Sequence, residues 1–245
     1  MQFSGAERVA VVLVHGWTCD ASIWEGQREM LEARFCLLIP ELPGHGKSPL
    51  PARGIEDLSF VNAVDAAMRR AGVSRAVLVG HSMGGVVVRQ FARLHPGKVS
   101  ALVFVETPFD LTETPGDRRW QDAFASHDGL KARRAFIETL FHPSTPAALR
   151  EPVIRQMLSA PMEVAVQAWQ WMTLPNTARP DDRFAGPVFL VDGESNEVAA
   201  DAVRAMFPRF ERVVIEGAGH FVMLEKPAAF NRALLAFLEA ILPKL

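Results

Sequence analysis

Tyrosine is absent from this 245-residue chain, so no step that needs a phenol donor can belong to its chemistry. Cysteine is nearly absent. Cys19 and Cys36 offer neither a disulfide framework nor a metal-ligand spacing, and read as reduced, buried side chains. Neither sign of charge is in excess: 26 Lys and Arg stand against 28 Asp and Glu. With no basic stripe, nucleic acid and an anionic membrane surface are not expected as partners. No apolar run approaches the roughly 20 residues of a membrane span. The opening Met-Gln-Phe-Ser-Gly-Ala-Glu-Arg carries no apolar signal region, so the expected compartment is the cytoplasm. What the chain does have is apolar residues, 49 % of the total, enough for the core of one domain with a modest insertion.

Short β-branched runs alternate with helical patterns, the signature of a parallel sheet with crossover helices. Val9-Ala-Val-Val-Leu-Val14 is a continuous apolar run and reads as a buried central strand. Further strands are expected at 35–39, 76–79, 101–105, 188–191 and 212–215, with helices over 55–71, 83–94 and 227–242. The rhythm breaks from Phe109 to Asp182, where helical patterns and prolines occur without a convincing strand. Long non-strand insertions in compact domains are usually functional. The expectation is a core of residues 1–108 and 183–245 carrying a helical cap, 109–182.

Gly80-His81-Ser82-Met83-Gly84 fits G-x-S-x-G with a strand before it and a helix after it. The glycines let Ser82 sit on a strained strand-to-helix turn, where larger side chains would collide with backbone and where the hydroxyl stands exposed. A serine hydroxyl attacks well only when a base takes its proton. Of seven histidines, His220 suits that role, because Gly217-Ala-Gly-His220-Phe221 is a flexible loop just after the last strand. His15 and His81 read as supports of the site, His45 as part of a turn-rich loop, and His95, His127 and His142 as surface or cap residues.

With these pieces in order, the chain resembles the α/β-hydrolase superfamily, in its small cap-bearing esterase and lactonase-like branch. The resemblance rests on His15-Gly16-Trp17, Pro43-Gly-His-Gly-Lys-Ser48, Gly80-His-Ser-Met-Gly-Gly85 and Gly217-Ala-Gly-His-Phe221. It implies a mostly parallel sheet flanked by helices, and an oxyanion hole made by the backbone N–H groups of Met83 and Trp17. It also implies an aspartate after the penultimate strand, to orient the histidine. Here that pattern breaks: Val191-Asp-Gly193-Glu-Ser-Asn196 places Asn196 where the acid is expected. Asp192 abuts the strand and is expected to point away. Glu194 and Glu197 flank Asn196 and are alternatives, as is the lack of any charged acid. Glu106 is the favoured candidate, with Asn196 as a polar neighbour. It ends the run Leu102-Val-Phe-Val-Glu106, where a branch of the haloalkane dehalogenases carries its acid. A carboxylate abutting an apolar strand needs a partner.

The cap carries Trp120, Phe124, Phe136, Phe141, Met157, Met162, Trp169, Trp171 and Met172. Substrate contacts are expected among Trp169, Trp171, Met162, Phe141 and Phe221, and an apolar ester or lactone is the expected partner. Trp169 and Trp171 cannot share a helix face, so one is expected to face outward or into the pocket. The implied activity is a serine carboxylesterase needing no metal or cofactor. Lactonase, amidase, carbon–carbon bond hydrolase and perhydrolase chemistry could use the same residues. A non-catalytic ligand-binding protein is the alternative of a different kind. Dehalogenase and epoxide hydrolase chemistry would need an aspartate in place of Ser82.

Overall fold

Six strands form one sheet in the order β2-β1-β3-β4-β5-β6, and every neighbouring pair is parallel. They are β1 (Ala10–Val14), β2 (Cys36–Leu38), β3 (Ala76–His81), β4 (Val99–Val105), β5 (Val188–Gly193) and β6 (Phe210–Ile215). The structure, a computed structural model, describes residues 10–109, 115–194, 196 and 200–241. Val9 and Leu242, expected at the ends of elements, lie outside them. Strands β1, β3, β4 and β5 are buried along their whole length. Both faces of a parallel sheet are covered by crossover helices, which is why these runs are apolar without alternation. The edge strands differ. Cys36, on β2, is half-exposed where burial was expected, whereas Cys19 is buried.

Register decides what the sheet can present. Val14 stands beside Gly80, His81 beside Val105, Val105 beside Val191, and Gly193 beside Ile215. The residues that follow β1, β3, β4 and β5 therefore leave from one edge of the sheet. Strand order reverses between β1 and β3, which is where parallel sheets open a crevice.

The core helices are α1 (Glu25–Glu32), α2 (Ser59–Arg70) and α3 (Met83–Leu94). Helix α2 begins four residues later than its periodicity predicts. The backbone before it is committed elsewhere: Ile55 N–H donates to Gln167 Oε1, and the Asp57 carbonyl accepts from the Trp171 indole.

Between β4 and β5 the described residues hold no strand, only α4 (Pro115–Ala125), α5 (Gly129–Thr139), α6 (Ala147–Ser159) and α7 (Met162–Met172). Both ends of this insertion meet one guanidinium. Arg89, on α3, donates to Asp182 Oδ2 at 2.7 Å, to the Phe109 carbonyl at 3.0 Å and to the Arg179 carbonyl. Arg93 lies 2.8 Å from the other Asp182 oxygen. Helices α8 (Ala200–Met206), α9 (Val222–Glu225) and α10 (Pro227–Ile241) complete the chain. Among the described residues no helix is long and apolar enough to cross a membrane, and no cluster of side chains could hold a metal ion.

Candidate active site

Ser82 separates β3 from α3 with φ 53° and ψ −120°, a left-handed backbone that a side chain rarely adopts. Such a conformation costs about 1–2 kcal/mol and persists only where the surroundings dictate it. Here the Ser82 N–H donates to the Val105 carbonyl at 2.8 Å, which carries the sheet ladder into the turn. The motif's glycines answer to space. A Cβ at Gly80 would stand 2.3 Å from the Gly84 carbonyl oxygen, and one at Gly84 would stand 2.3 Å from that of Val14. The side chain of Ser82 is left half-exposed at the sheet edge.

His220 meets Glu106 across this edge. Nδ1 of the imidazole lies 3.2 Å from Glu106 Oε2, and the other carboxylate oxygen accepts the Gly193 N–H. Glu106 has φ 49° and is 8 % exposed. Its own N–H donates to the Val191 carbonyl at 3.1 Å. An ionised carboxylate only accepts, so Nδ1 carries the proton and Nε2 of the neutral ring keeps a lone pair. The backbone of His220 is pinned as well. The His220 carbonyl accepts from His81 Nε2 at 2.9 Å, and the His220 N–H donates to the Leu140 carbonyl at 2.8 Å. Burial and the neighbouring His220 hold His81 well below the usual histidine range, so it serves as a neutral donor.

The competing acids have other partners. Asp192 accepts from Arg212 at 2.6 Å and from the Asn196 amide at 2.8 Å, and burial pushes its carboxyl up. Asn196, expected as a polar neighbour of His220, instead gives its amide to Asp192 and its carbonyl to Arg212. Glu194 is largely exposed and accepts the Gly217 N–H at 2.9 Å, bracing the His220 loop from outside. Glu197 lies outside the described residues.

The loop after β1 reaches the same place. A Cβ on Gly16 would stand 3.2 Å from Ser82 Cβ. Neither the Trp17 nor the Met83 N–H donates to another backbone carbonyl among the described residues. His15 anchors this loop: Nδ1 donates to the Gly16 carbonyl at 2.9 Å, and Nε2 accepts the Leu42 N–H at 3.1 Å. Burial, with His45 nearby, lowers its pKa to about 3.

The Trp17 side chain is far from incidental. Its indole donates to the Ala165 carbonyl at 2.7 Å, and its ring packs with Phe124, Phe136 and Trp169. All six centroid separations among these four rings fall between 5.1 and 5.7 Å. Trp171 has a different setting, with its ring 4.7 Å from Phe60 and its indole on Asp57. Both Trp169 and Trp171 are buried, so neither faces outward. Helix α7 buries Val164, Ala165, Ala168, Trp169 and Trp171, and leaves Glu163 and Gln170 exposed. Phe141 and Phe221 pack on each other at 4.9 Å beside His220, and Met162 lies against Gly129.

A model of the alpha/beta hydrolase family matches residues 11–233. Among solved structures, a thermophilic esterase from Thermogutta terrifontis, with malate bound, is similar at TM-score 0.83 and 25% identity, covering 96% of this chain and 91% of that one. Est816, an N-acyl homoserine lactone degrading enzyme, is similar at TM-score 0.80 and 24% identity, over 95% and 94% of the two chains. The 2-hydroxy-6-oxo-6-phenylhexa-2,4-dienoate hydrolase of Rhodococcus sp. strain RHA1 is similar at TM-score 0.77 and 21% identity, over 95% and 91%. With the sheet order, the elbow and the family match in agreement, the chain belongs to the alpha/beta hydrolase family.

Proposed function

We propose that this chain is a serine hydrolase that cleaves a carboxylic ester of an apolar substrate through an acyl-enzyme on Ser82. The observation that carries the reading is the Glu106–His220 contact at 3.2 Å beside a serine on a positive-φ elbow. His220 Nε2 takes the Ser82 proton as the oxygen attacks the carbonyl carbon. The Met83 and Trp17 N–H groups, together with the N-terminus of α3, stabilise the oxyanion. The imidazolium, held by Glu106, protonates the departing alcohol. Water activated by the same histidine then releases the acid and restores Ser82. The aromatic side chains of Trp169 and Phe141, which keep a little exposure, support an apolar substrate, as does the esterase among the structural relatives.

The test is covalent labelling by a fluorophosphonate, located by mass mapping. It is run beside a p-nitrophenyl ester chain-length series and a lactone panel. Labelling at Ser82, lost in Ser82→Ala together with ester turnover, is the expected result. An unlabelled, inactive wild type would instead mark a ligand-binding protein on a hydrolase scaffold. Preference for the lactones would reassign the substrate but not the residues.

A further inference from the structure

The base is held by more than its acid. Glu225 ends α9, one turn beyond Phe221, and its carboxylate gathers three donors from two separate segments. Oε1 accepts the Phe221 N–H at 3.1 Å. Oε2 accepts the His142 N–H at 3.1 Å and the hydroxyl of buried Thr145. His142 and Thr145 belong to the linker between α5 and α6, and Leu140, where that linker begins, accepts the His220 N–H. The bonds close a ring: His220 to Leu140, along the linker to His142, to Glu225, to Phe221 and back to His220. The fit is tight, because a Cβ at Gly219 would stand 2.4 Å from the His142 nitrogen.

We infer that Glu225 is a positioning residue for His220, clamping the base loop to the insertion so that the imidazole meets Glu106 and Ser82 in register. The inference rests on the Ser82–His220–Glu106 reading. Glu225 contributes nothing to the reacting atoms; it acts through the backbone on either side of the base. Three converging donors require an acceptor-only group, since the amide of a glutamine would turn N–H groups toward them. Small displacements of a catalytic group lower turnover steeply. The insertion is therefore a wall of the catalytic machinery as well as a cover, and lifting its α5–α6 linker would release the base.

The experiment compares steady-state hydrolysis of p-nitrophenyl acetate by wild type, Glu225→Gln, Thr145→Val, Thr145→Ser and the Glu225→Gln/Thr145→Val double variant. Rates are normalised to folded protein by circular dichroism. Glu225→Gln should lower kcat about ten- to a hundred-fold with KM within about two-fold. Thr145→Val, which deletes one hydroxyl donor, should lower kcat about three- to ten-fold, and Thr145→Ser should restore it. The double variant should be no slower than Glu225→Gln alone. Unchanged kcat in Glu225→Gln and Thr145→Val, even with a lower melting temperature, overturns the inference, as does a change confined to KM. Should Glu225→Gln not fold, the Thr145 pair decides by itself. Ser82→Ala and His220→Ala separate the two levels. If either turns over like wild type, the triad reading falls and takes the inference with it.

Discussion

At Glu106 the chain leaves β4 with a left-handed residue, and the carboxylate faces both the Gly193 N–H and His220. The segment after β5, where the resemblance implies an acid, takes part as a donor. Its Gly193 N–H holds a carboxylate that comes from the neighbouring strand. On the proposed mechanism, replacing Glu106 with Gln keeps the shape and removes the charge that would stabilise the imidazolium. It should lower kcat by about two to four orders of magnitude with a small change in KM. Initial rates on p-nitrophenyl acetate measure this, and a rate within threefold of wild type would move the acid to Glu194 or Glu197. Arg133 illustrates how differently a buried charge can be used. Its guanidinium donates to the Met157 and Ala160 carbonyls at and just beyond the C-terminus of α6, and burial lowers its pKa. It thereby meets the negative end of a helix dipole in place of a carboxylate.

Among the elements, α3 has two duties. Its first residue offers the elbow's free N–H, and about two and three turns later Arg89 and Arg93 hold the ends of the insertion through Asp182. That pair is buried, with both the Arg89 and Asp182 side chains 2 % exposed. Removing one partner would leave an uncompensated charge in the interior. Asp182→Asn should destabilise the fold by about 3–5 kcal/mol. Arg28→Ala, in an exposed pair with Glu25 and Glu32, should cost less than about 1 kcal/mol. Urea midpoints of the two variants make the comparison, and similar midpoints would mean the joint is not under electrostatic load. Periodicity gives helical patterns between β4 and β5, but it is silent on where the two tryptophans of α7 pack. An apolar helix face can lie against a core, a partner or a ligand, and here Trp171 lies against Phe60 of α2 while Trp169 joins Trp17, Phe124 and Phe136.

For the molecule as a whole, three buried histidines set the acid limit of stability. His15 and His45 have pKa values lowered to about 3 and about 4 by burial, and His81 lies well below its usual range for the same reason. In the unfolded chain each protonates near 6.5, so below that pH the unfolded state binds more protons than the native one. Their contribution to stability is therefore complete above about pH 6.5 and is lost as pH falls toward the native values. Each histidine contributes up to about 1.4 kcal/mol per pH unit, so the three together should lower stability by roughly 4 kcal/mol between pH 7.5 and pH 5.5. Urea titrations at the two values test this, and equal midpoints would contradict it.

What the sequence by itself determined is whatever depends on neighbours along the chain: the apolar strands, the helix stops, the G-x-S-x-G elbow, and a histidine on a glycine loop after the last strand. The six-stranded parallel sheet followed from that alternation, and the fold was legible almost throughout. Only the tertiary structure set Glu106 beside His220, gave Asn196 to Asp192, turned Trp17 into a tie between the β1 loop and the insertion, and placed Glu225 under the His220 loop. These partners stand far apart in sequence, and a carboxylate at a strand end has no local signal for where it points. Strand register and the crowding of backbone at Gly193 and Gly219 settle it, and both exist only once the sheet has formed.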